Sequence, residues 1–228
     1  MIDNGSMITI DYTAKIDNEI EGTVFDTTIE EVAQTEAIFN PEKFYEPMLV
    51  VVGQGWIPVG LENAITASSV GEKFIVNVPC AEAYGPKDPS KIKLVARREF
   101  QKKNINPSIG DRITIGNQTG TVISVGSGRV RMDYNHVLAG KDSEYNVLVH
   151  NLITDNEEKI AALIKRRMPG ADLRGINIET NGETIKVHMP EKARFLEFVQ
   201  FAKAEASKDI KEIVLGYKYI KFIETFDL

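Results

Sequence analysis

Few side chains in this sequence could carry covalent or metal chemistry. Cys80 is the only cysteine, and because no histidine lies near it in the sequence, a small residue at a strand end is favoured over a nucleophile. Three histidines share no i, i+3 or i+4 spacing and have no cysteine beside them; they are His136, His150 and His188. This pattern does not suit zinc, and we expect no metal site.

One apolar stretch, residues 51–65, instead has the pattern of a binding-site wall. It opens as the end of a strand, is interrupted at Gly53 and Gly55, and continues with apolar residues at helical spacing over residues 61–65. Pro58 fits the start of such a short helix and would break its middle. A helix entered in this way leaves one concave apolar wall, which is formed by Ile57, Pro58 and Leu61.

Alternating stretches on both sides of this short helix predict the sheet that positions it. Four stretches have the pattern of half-buried strands; they are residues 8–15, 43–52, 73–78 and 145–150. Asp17 and Asn18 predict a turn, after which the chain returns to Phe25. We therefore expect an α+β fold in which an antiparallel sheet wraps over one short helix.

Charge divides the chain into three parts. Residues 1–85 hold three Lys and Arg residues against 14 Asp and Glu residues, a net charge of −11. Residues 86–131 hold 10 against three, a net charge of +7, and residues 132–228 hold 14 against 16, a net charge of −2. The reversal of sign predicts a separate basic domain at residues 86–131, inserted into a first domain made of residues 1–85 and 132–153.

The inserted segment has the pattern of a small, mostly-β domain. Its predicted strands are residues 92–95, 112–115, 119–125 and 129–132. Gly116-Asn117 and residues 126–128 are hairpin signals between them. Because its 46 residues form only a marginal core, we expect this domain to be mobile and to expose apolar surface.

Residues 155–228 predict a third domain with the order helix, strand, strand, helix, strand, that is, αββαβ. Residues 155–158 form a capping box for the first helix, and Asn181-Gly182 predicts a hairpin between the first two strands. The second helix is predicted from Pro190 to Ala206 and the last strand from Tyr217 to Phe226.

Three motifs in order resemble segments of the FKBP family of peptidyl-prolyl isomerases. Residues 22–28 have a Gly-x-x-Phe-Asp-x-Thr pattern, residues 79–85 end in Ala-Tyr-Gly, and residues 51–65 are the third motif. The resemblance spans residues 6–153. Within it, the basic insert resembles the insert-in-flap domain of SlyD-type members, and residues 135–140 resemble the sequence by which the chain returns. With its additional C-terminal domain, the whole chain is most similar to the long archaeal FKBPs.

The resemblance implies a proline pocket that works without metal or cofactor. It implies that six residues line the pocket as its catalytic groups, namely Tyr12, Phe25, Asp26, Ile57, Tyr84 and Tyr145. Met48 and Pro58 would lie at the edge, and Leu61 would lie at the floor, where many members have tryptophan. The Asp26 carboxylate would accept hydrogen bonds from pocket tyrosines, while the Ile57 N–H and the Tyr84 hydroxyl donate to the substrate. For Trp56, a contact at the pocket rim and simple packing are both open.

The resemblance favours an enzyme, and a second class of function stays open beside it. In the first hypothesis the chain is a peptidyl-prolyl isomerase for folding proteins, and the insert binds unfolded chains like a chaperone. The insert's contacts would be Ile92, Leu94, Val95 and Phe100, which the alternative interpretation assigns to the insert core. The second hypothesis is a binding module without catalysis, either a holdase or a basic domain on ribosomal RNA. Nucleic acid is the weaker partner, because Phe100 is the only aromatic residue of the insert.

Composition limits where the protein acts. No run of 18 apolar residues exists, and the first five residues have neither a basic region nor an apolar core. A single cysteine suits a reducing compartment. We expect a cytoplasmic protein with no membrane partner.

The C-terminal domain has more apolar residues than one buried helix stripe needs. Phe195, Phe198 and Phe201 drift around the predicted helix, away from Leu196 and Val199. Surplus apolar surface predicts a homodimer through residues 155–228, because symmetric dimers are the commonest oligomers. The alternative is that the first domain covers the surplus.

Overall fold

The computed structural model describes residues 2–16 and 22–226, so the predicted turn at Asp17 and Asn18 lies outside the described residues. The chain divides into two compact units, residues 1–77 with 144–228, and residues 78–143. The second unit is wider than the predicted insert at residues 86–131, whose boundaries stay a prediction. Among the helices of the described residues, none has the length and apolar character needed to cross a bilayer.

A five-stranded sheet forms the beginning of the first unit and confirms the predicted α+β fold. Its first elements are β1 (Met7–Ile16), β2 (Thr23–Thr27), α1 (Glu30–Thr35), β3 (Met48–Val51), α2 (Val59–Thr66) and β4 (Lys73–Val78). Strand β1 pairs antiparallel with both β2 and β3, through its two halves. The apolar residues that alternate along β1 are buried, among them Ile8, Ile10 and Ala14.

Helix α2 has the predicted single buried face and the predicted start. Leu61 and Ile65 are buried one turn apart, and Pro58 precedes the first helical residue. The turn that leads into the helix needs glycine at residue 53, because its φ is +90° and an added Cβ would lie 1.8 Å from Asn4 Oδ1. The Gly53 N–H donates to Glu62 Oε1 at 2.8 Å, which fixes this turn to α2.

The strand predicted over residues 43–52 is shorter than expected. Only Met48–Val51 pairs as β3, and the preceding residues form a loop held by its own contacts. The rings of Phe39 and Tyr45 stack with centroids 5.6 Å apart, and the Asn40 N–H donates to Tyr45 Oη at 2.9 Å. These contacts hold the chain away from the sheet as far as Pro47, and pairing begins at Met48.

The second unit contains a small β domain with its own core. Its elements are β5 (Ile92–Ala96), α3 (Arg97–Gln101), β6 (Arg112–Ile115), β7 (Gln118–Val125) and β8 (Arg129–Asp133). The strands form a sheet in the order β5-β8-β7-β6, with antiparallel neighbours. Phe100 of α3 is fully buried against this sheet with Ile113, Val122, Val130 and Met132. The predicted mostly-β insert is therefore present.

The chain then returns through β9 (Ser143–Ile153) to the first unit, where it pairs between β1 and β4. The C-terminal elements are α4 (Asn156–Arg167), β10 (Asn177–Asn181), β11 (Thr184–His188), α5 (Glu191–Arg194), α6 (Val199–Ile213) and β12 (Tyr219–Ile223). Asp155 caps α4 by accepting from the N–H groups of Glu157 and Glu158. Strands β10 and β11 form the predicted hairpin, and β12 pairs parallel to β11.

The second C-terminal helix is two helices rather than the single one predicted over Pro190–Ala206. The break falls at Phe198, which has the left-handed φ of +59°. Ala193 and Val199 are both buried, yet six residues of an unbroken helix would place them about 120° apart on its surface. The break changes the phase of the helix and lets both residues face the core. The last strand also ends earlier than predicted, at Ile223.

Candidate functional site

A carboxylate joins three parts of the first unit that are distant in sequence. Tyr12 Oη donates to Asp26 Oδ2 at 2.5 Å, and the Thr27 N–H donates to Asp26 Oδ1 at 3.0 Å. Lys43 forms an ion pair with Oδ1 and donates to the Thr27 carbonyl at 2.8 Å. Both carboxylate oxygens therefore have partners, and the Tyr12 ring is held in one orientation. We call Tyr12, Asp26 and Lys43 the Asp26 cluster.

The threonines of the motif at residues 22–28 fix β2 at this position. Thr27 Oγ1 donates to the Tyr12 carbonyl at 2.9 Å, and the Tyr12 N–H donates to Thr28 Oγ1 at 3.0 Å. The register pairs Ala14 with Asp26 and Thr13 with Thr27. Because these hydroxyls add side-chain bonds to the β1–β2 ladder, the Asp26 side chain is placed beside Tyr12.

Two further aromatic rings adjoin the Asp26 cluster. The Tyr145 ring of β9 lies with its centroid 6.3 Å from that of Tyr12 and 6.4 Å from that of Phe25, to which it is edge-on. Both distances are in the range of favourable aromatic pairs. Tyr145 is buried, whereas Phe25 and Asp26 are half-buried. Four predicted site residues therefore come together here, namely Tyr12, Phe25, Asp26 and Tyr145.

The other predicted residues of the first unit lie on neighbouring elements. Ile57 and Leu61 are buried around the start of α2, and Pro58 is half-buried directly before its first residue. Met48, at the start of β3, is half-buried and lies with Tyr12 and Lys43 along a groove of about 500 Å³.

Tyr84 belongs to the second unit and has a partner there that the sequence did not indicate. Its ring stacks on the His136 ring with centroids 4.8 Å apart and planes 4° apart. The segment that carries His136 is held by Asp133, which accepts from the Asn135 N–H at 2.9 Å and pairs with Lys87 at 3.0 Å. Burial opposes ionisation of Asp133, but the hydrogen bonds from Asn135 and Lys87 outweigh it and hold the pKa of Asp133 below its ordinary value.

The four predicted client contacts of the insert differ in exposure. Phe100 is 0% exposed at the centre of the insert core, so the structure does not support the prediction that it contacts clients. Ile92 and Val95 are half-buried, and Val95 packs against the same core. Leu94 is 62% exposed, and Ile109, which the sequence did not single out, is 73% exposed.

The sequence analysis missed Lys43 and left the role of Trp56 open. Lys43 is one of only three basic residues among the first 85, and that isolation in an acidic segment was the available signal. Trp56 packs against the C-terminal core, and the Arg166 guanidinium lies 3.6 Å from the centroid of its ring. Packing therefore accounts for one side of Trp56, while another side lines the groove.

Comparisons with known proteins match this chain to prolyl isomerases. A family model described as FKBP-type peptidyl-prolyl cis-trans isomerase matches residues 1–101. Models described as FKBP26, IF domain, and FKBP26_C-terminal match residues 93–138 and 156–227.

Individual relatives carry the same description. The short-type peptidyl-prolyl cis-trans isomerase of Methanocaldococcus jannaschii is 33% identical over 152 residues, which are 67% of this chain and 94% of the relative. The FKBP-type isomerase SlyD of Treponema pallidum is 32% identical over 120 residues, 51% of this chain and 68% of the relative. A solved structure of three FKBP domains of wheat FKBP73 has a TM-score of 0.34 and 16% identity, over 67% of this chain and 40% of that chain.

The chain belongs to the family of FKBP-type peptidyl-prolyl cis-trans isomerases, in its SlyD-like branch with an insert and a C-terminal domain. The resemblance noted in the three motifs is thereby confirmed, and so is the predicted enzyme activity.

Proposed function

We propose that the Asp26 cluster and the rings of Phe25 and Tyr145 form the pocket that holds a substrate proline while its X-Pro bond rotates. The observation that carries this proposal is the use of both oxygens of one carboxylate, by Tyr12 on one side and by Lys43 and Thr27 on the other. Dipoles fixed in this way need no reorganisation when the substrate amide twists.

The chemistry of the reaction matches an apolar site with a few fixed polar groups. Rotation of a planar amide must cross a barrier of roughly 18–20 kcal/mol because resonance is lost. The twisted amide is less dipolar than the planar one, so an apolar surround favours the twisted state over the ground state. Ile57 and Leu61 supply apolar walls in this proposal, and the Ile57 N–H donates to the substrate.

The insert would act as a separate capture site for unfolded chains in the cytoplasm. Support comes from a domain with its own buried core that leaves Leu94 and Ile109 largely exposed. Large apolar side chains in the solvent are typical of surfaces that bind other proteins. A client bound to the insert is held on the same chain as the pocket, which raises the effective concentration of its prolines.

Replacing residues 86–131 by a short Gly-Ser loop tests the division between the two sites. Isomerisation of a short X-Pro peptide should stay within about an order of magnitude, whereas acceleration of a proline-limited protein refolding reaction should fall much further. Equal losses in both assays would mean that the insert is part of the catalytic pocket.

The basic charge of the insert leaves binding of a polyanion as the competing proposal. Apolar binding of an unfolded chain should persist as salt is raised, while binding of RNA should collapse between low and moderate salt. Titration of the protein with a permanently unfolded protein and with ribosomal RNA, each at two salt concentrations, separates the two.

We further propose that the protein is a homodimer through its C-terminal domain. The support is an aromatic patch, which we define as Phe195, Phe198, Phe201 and Phe226; these side chains are between 59% and 75% exposed. The rings pair with each other, Phe195 with Phe226 and Phe198 with Phe201, both at 6.4 Å between centroids. Exposed aromatic rings favour self-association.

Sedimentation of the full-length protein tests this proposal. We expect a dimer at micromolar concentration, and a monomer after Phe198→Ser and Phe201→Ser are combined. Ile123→Ser, a change at a partly exposed apolar residue outside the patch, is the matched control and should leave the dimer intact. A monomer mass of the unmodified protein at tens of micromolar would end the dimer proposal.

A further inference from the structure

A groove borders the Asp26 cluster and has one wall from the C-terminal domain. Its volume is about 500 Å³, within the range of roughly 300–1,000 Å³ that is common for ligand sites. The first domain contributes an apolar side formed by Phe44, Pro47, Met48, Leu49 and Trp56. The C-terminal domain contributes Ala162 of α4 and Pro169 to the lining. None of the three motifs includes the C-terminal residues, so this wall is additional to the pocket that the motifs indicate.

The groove and the Asp26 cluster share a wall. Tyr12 and Lys43 line the groove, and both also bind the Asp26 carboxylate. An extended chain advances only about 3.3–3.6 Å per residue, so residues next to a bound proline would reach this wall without a bend.

The charged groups around the groove are already engaged with the protein. Lys165 pairs with Glu46 at 3.2 Å, and its ammonium also donates to the Ala171 carbonyl at 3.0 Å. The Arg166 guanidinium stacks on Trp56 and lies 3.4 Å from Asp209. Lys43 is bound to Asp26. Because these cations have protein partners, the groove is built for an apolar ligand rather than an anionic one.

Phe44 provides an apolar contact that remains open to a ligand. Its side chain is 54% exposed although its ring rests on the backbone of Gly170. Gly170 has a φ of +74°, and an added Cβ would lie 1.9 Å from Phe44 Cε1, so this close approach requires glycine. The C-terminal domain therefore supports a ring that faces the groove with about half its surface free.

We propose that this groove binds an extended apolar segment of the client polypeptide, next to the X-Pro bond that is held at the Asp26 cluster. The proposal rests on the proposed pocket. It makes the C-terminal domain part of substrate selection, because clients with apolar residues flanking proline gain contacts that a minimal peptide lacks.

The test compares two peptides with one central Ala-Pro bond. The first is a tetrapeptide, and the second has the same centre with Leu- and Val-rich flanks on both sides. We expect the flanks to raise kcat/KM of the unmodified protein by at least about five-fold, the size of one good apolar contact. Ala162→Phe fills the groove and should reduce this ratio to below about two-fold. Glu158→Phe, at an exposed position of the same helix, is the matched control and should leave the ratio of the two kcat/KM values unchanged.

Two additional measurements keep the result independent of the folding of one variant. Phe44→Ala removes a half-exposed ring and should lower the same ratio with little effect on the fold. Trp56, the only tryptophan, lines the groove, so its emission should change on titration with a proline-free version of the long peptide. If the tetrapeptide is isomerised but the flanks give no gain and Trp56 does not respond, the groove proposal is wrong and the pocket stands. If neither peptide is isomerised, the proposed pocket itself fails.

Discussion

The Asp26 cluster and the insert are built in opposite ways. In the first, single polar atoms have defined partners that come from β1, β2 and the loop before β3, which are distant in sequence. In the second, contiguous residues build a small core around Phe100 and leave Leu94 and Ile109 outside it. The cluster depends on the geometry of single hydrogen bonds, so the loss of one polar atom should lower isomerase activity. The exposed surface of the insert depends on apolar area, so it should tolerate single changes and decline gradually.

The sharpest contrast should lie within the insert, between its inside and its outside. Phe100→Ala empties the core and should destabilise the insert by about 3–5 kcal/mol. Leu94→Ser removes a side chain that is already mostly in water, so the free energy of unfolding should change by no more than about 0.5 kcal/mol. Urea unfolding measures both changes. The assignment of Leu94 to a capture surface further requires that Leu94→Ser slows protein refolding by a small factor, as one part of a larger apolar area, while short-peptide isomerisation is retained.

Tyr84 tests whether the second unit supplies a group to catalysis. Tyr84→Ala should lower short-peptide isomerisation by about ten-fold if the family resemblance assigns this residue correctly, because the ring and the donor hydroxyl that the resemblance implies are both lost. Tyr84→Phe keeps the stack on His136 and loses only the hydroxyl. Its activity should therefore lie between that of Tyr84→Ala and that of the unmodified protein. Unchanged activity of Tyr84→Ala, in a folded protein, would remove Tyr84 from the site.

Lys43 should have a smaller effect than the carboxylate that it binds. Lys43→Gln removes the positive charge, but Tyr12 and the Thr27 N–H still hold Asp26. We expect a loss of about two- to five-fold in kcat/KM for a short peptide, in line with a half-exposed ion pair. Lys73→Gln, at an exposed position of β4 in the same acidic segment, is the control and should be neutral. A loss as large as that of an Asp26 variant would show that the ammonium itself acts on the substrate.

The predictable parts of this molecule depend on local sequence, and the unpredicted parts depend on distant contacts. The cap at Asp155 and the hairpin at Gly182 follow from neighbouring residues, and both lie where the sequence indicated. The break at Phe198 was missed because it depends on which face the core offers to Ala193 and Val199. The bond from Lys43 to Asp26 crosses 17 positions of the chain, and no local pattern encodes it.

The wall from the C-terminal domain could not be anticipated for a similar reason. In the sequence, Arg166 is one of several basic residues in the last turn of α4. Only the folded chain brings its guanidinium over the Trp56 ring. The family motifs located the rings and the carboxylate because their spacing is fixed within each motif. They carried no information about the wall from the C-terminal domain, because Trp56 and Ala162 of the groove lining are more than 100 residues apart in the sequence.

The central claim is that Asp26 organises the pocket, and one measurement tests it most directly. Isomerisation of a short X-Pro peptide can be followed by NMR exchange without a coupling protease, for the unmodified protein and for Asp26→Ala. Asp11→Asn is the matched control, because Asp11 is a carboxylate of the adjacent strand that pairs with His150 and Thr28 instead. We predict that the unmodified protein and the control accelerate exchange, and that Asp26→Ala loses at least about ten-fold while remaining folded. Equal exchange rates for Asp26→Ala and the unmodified protein would contradict the account.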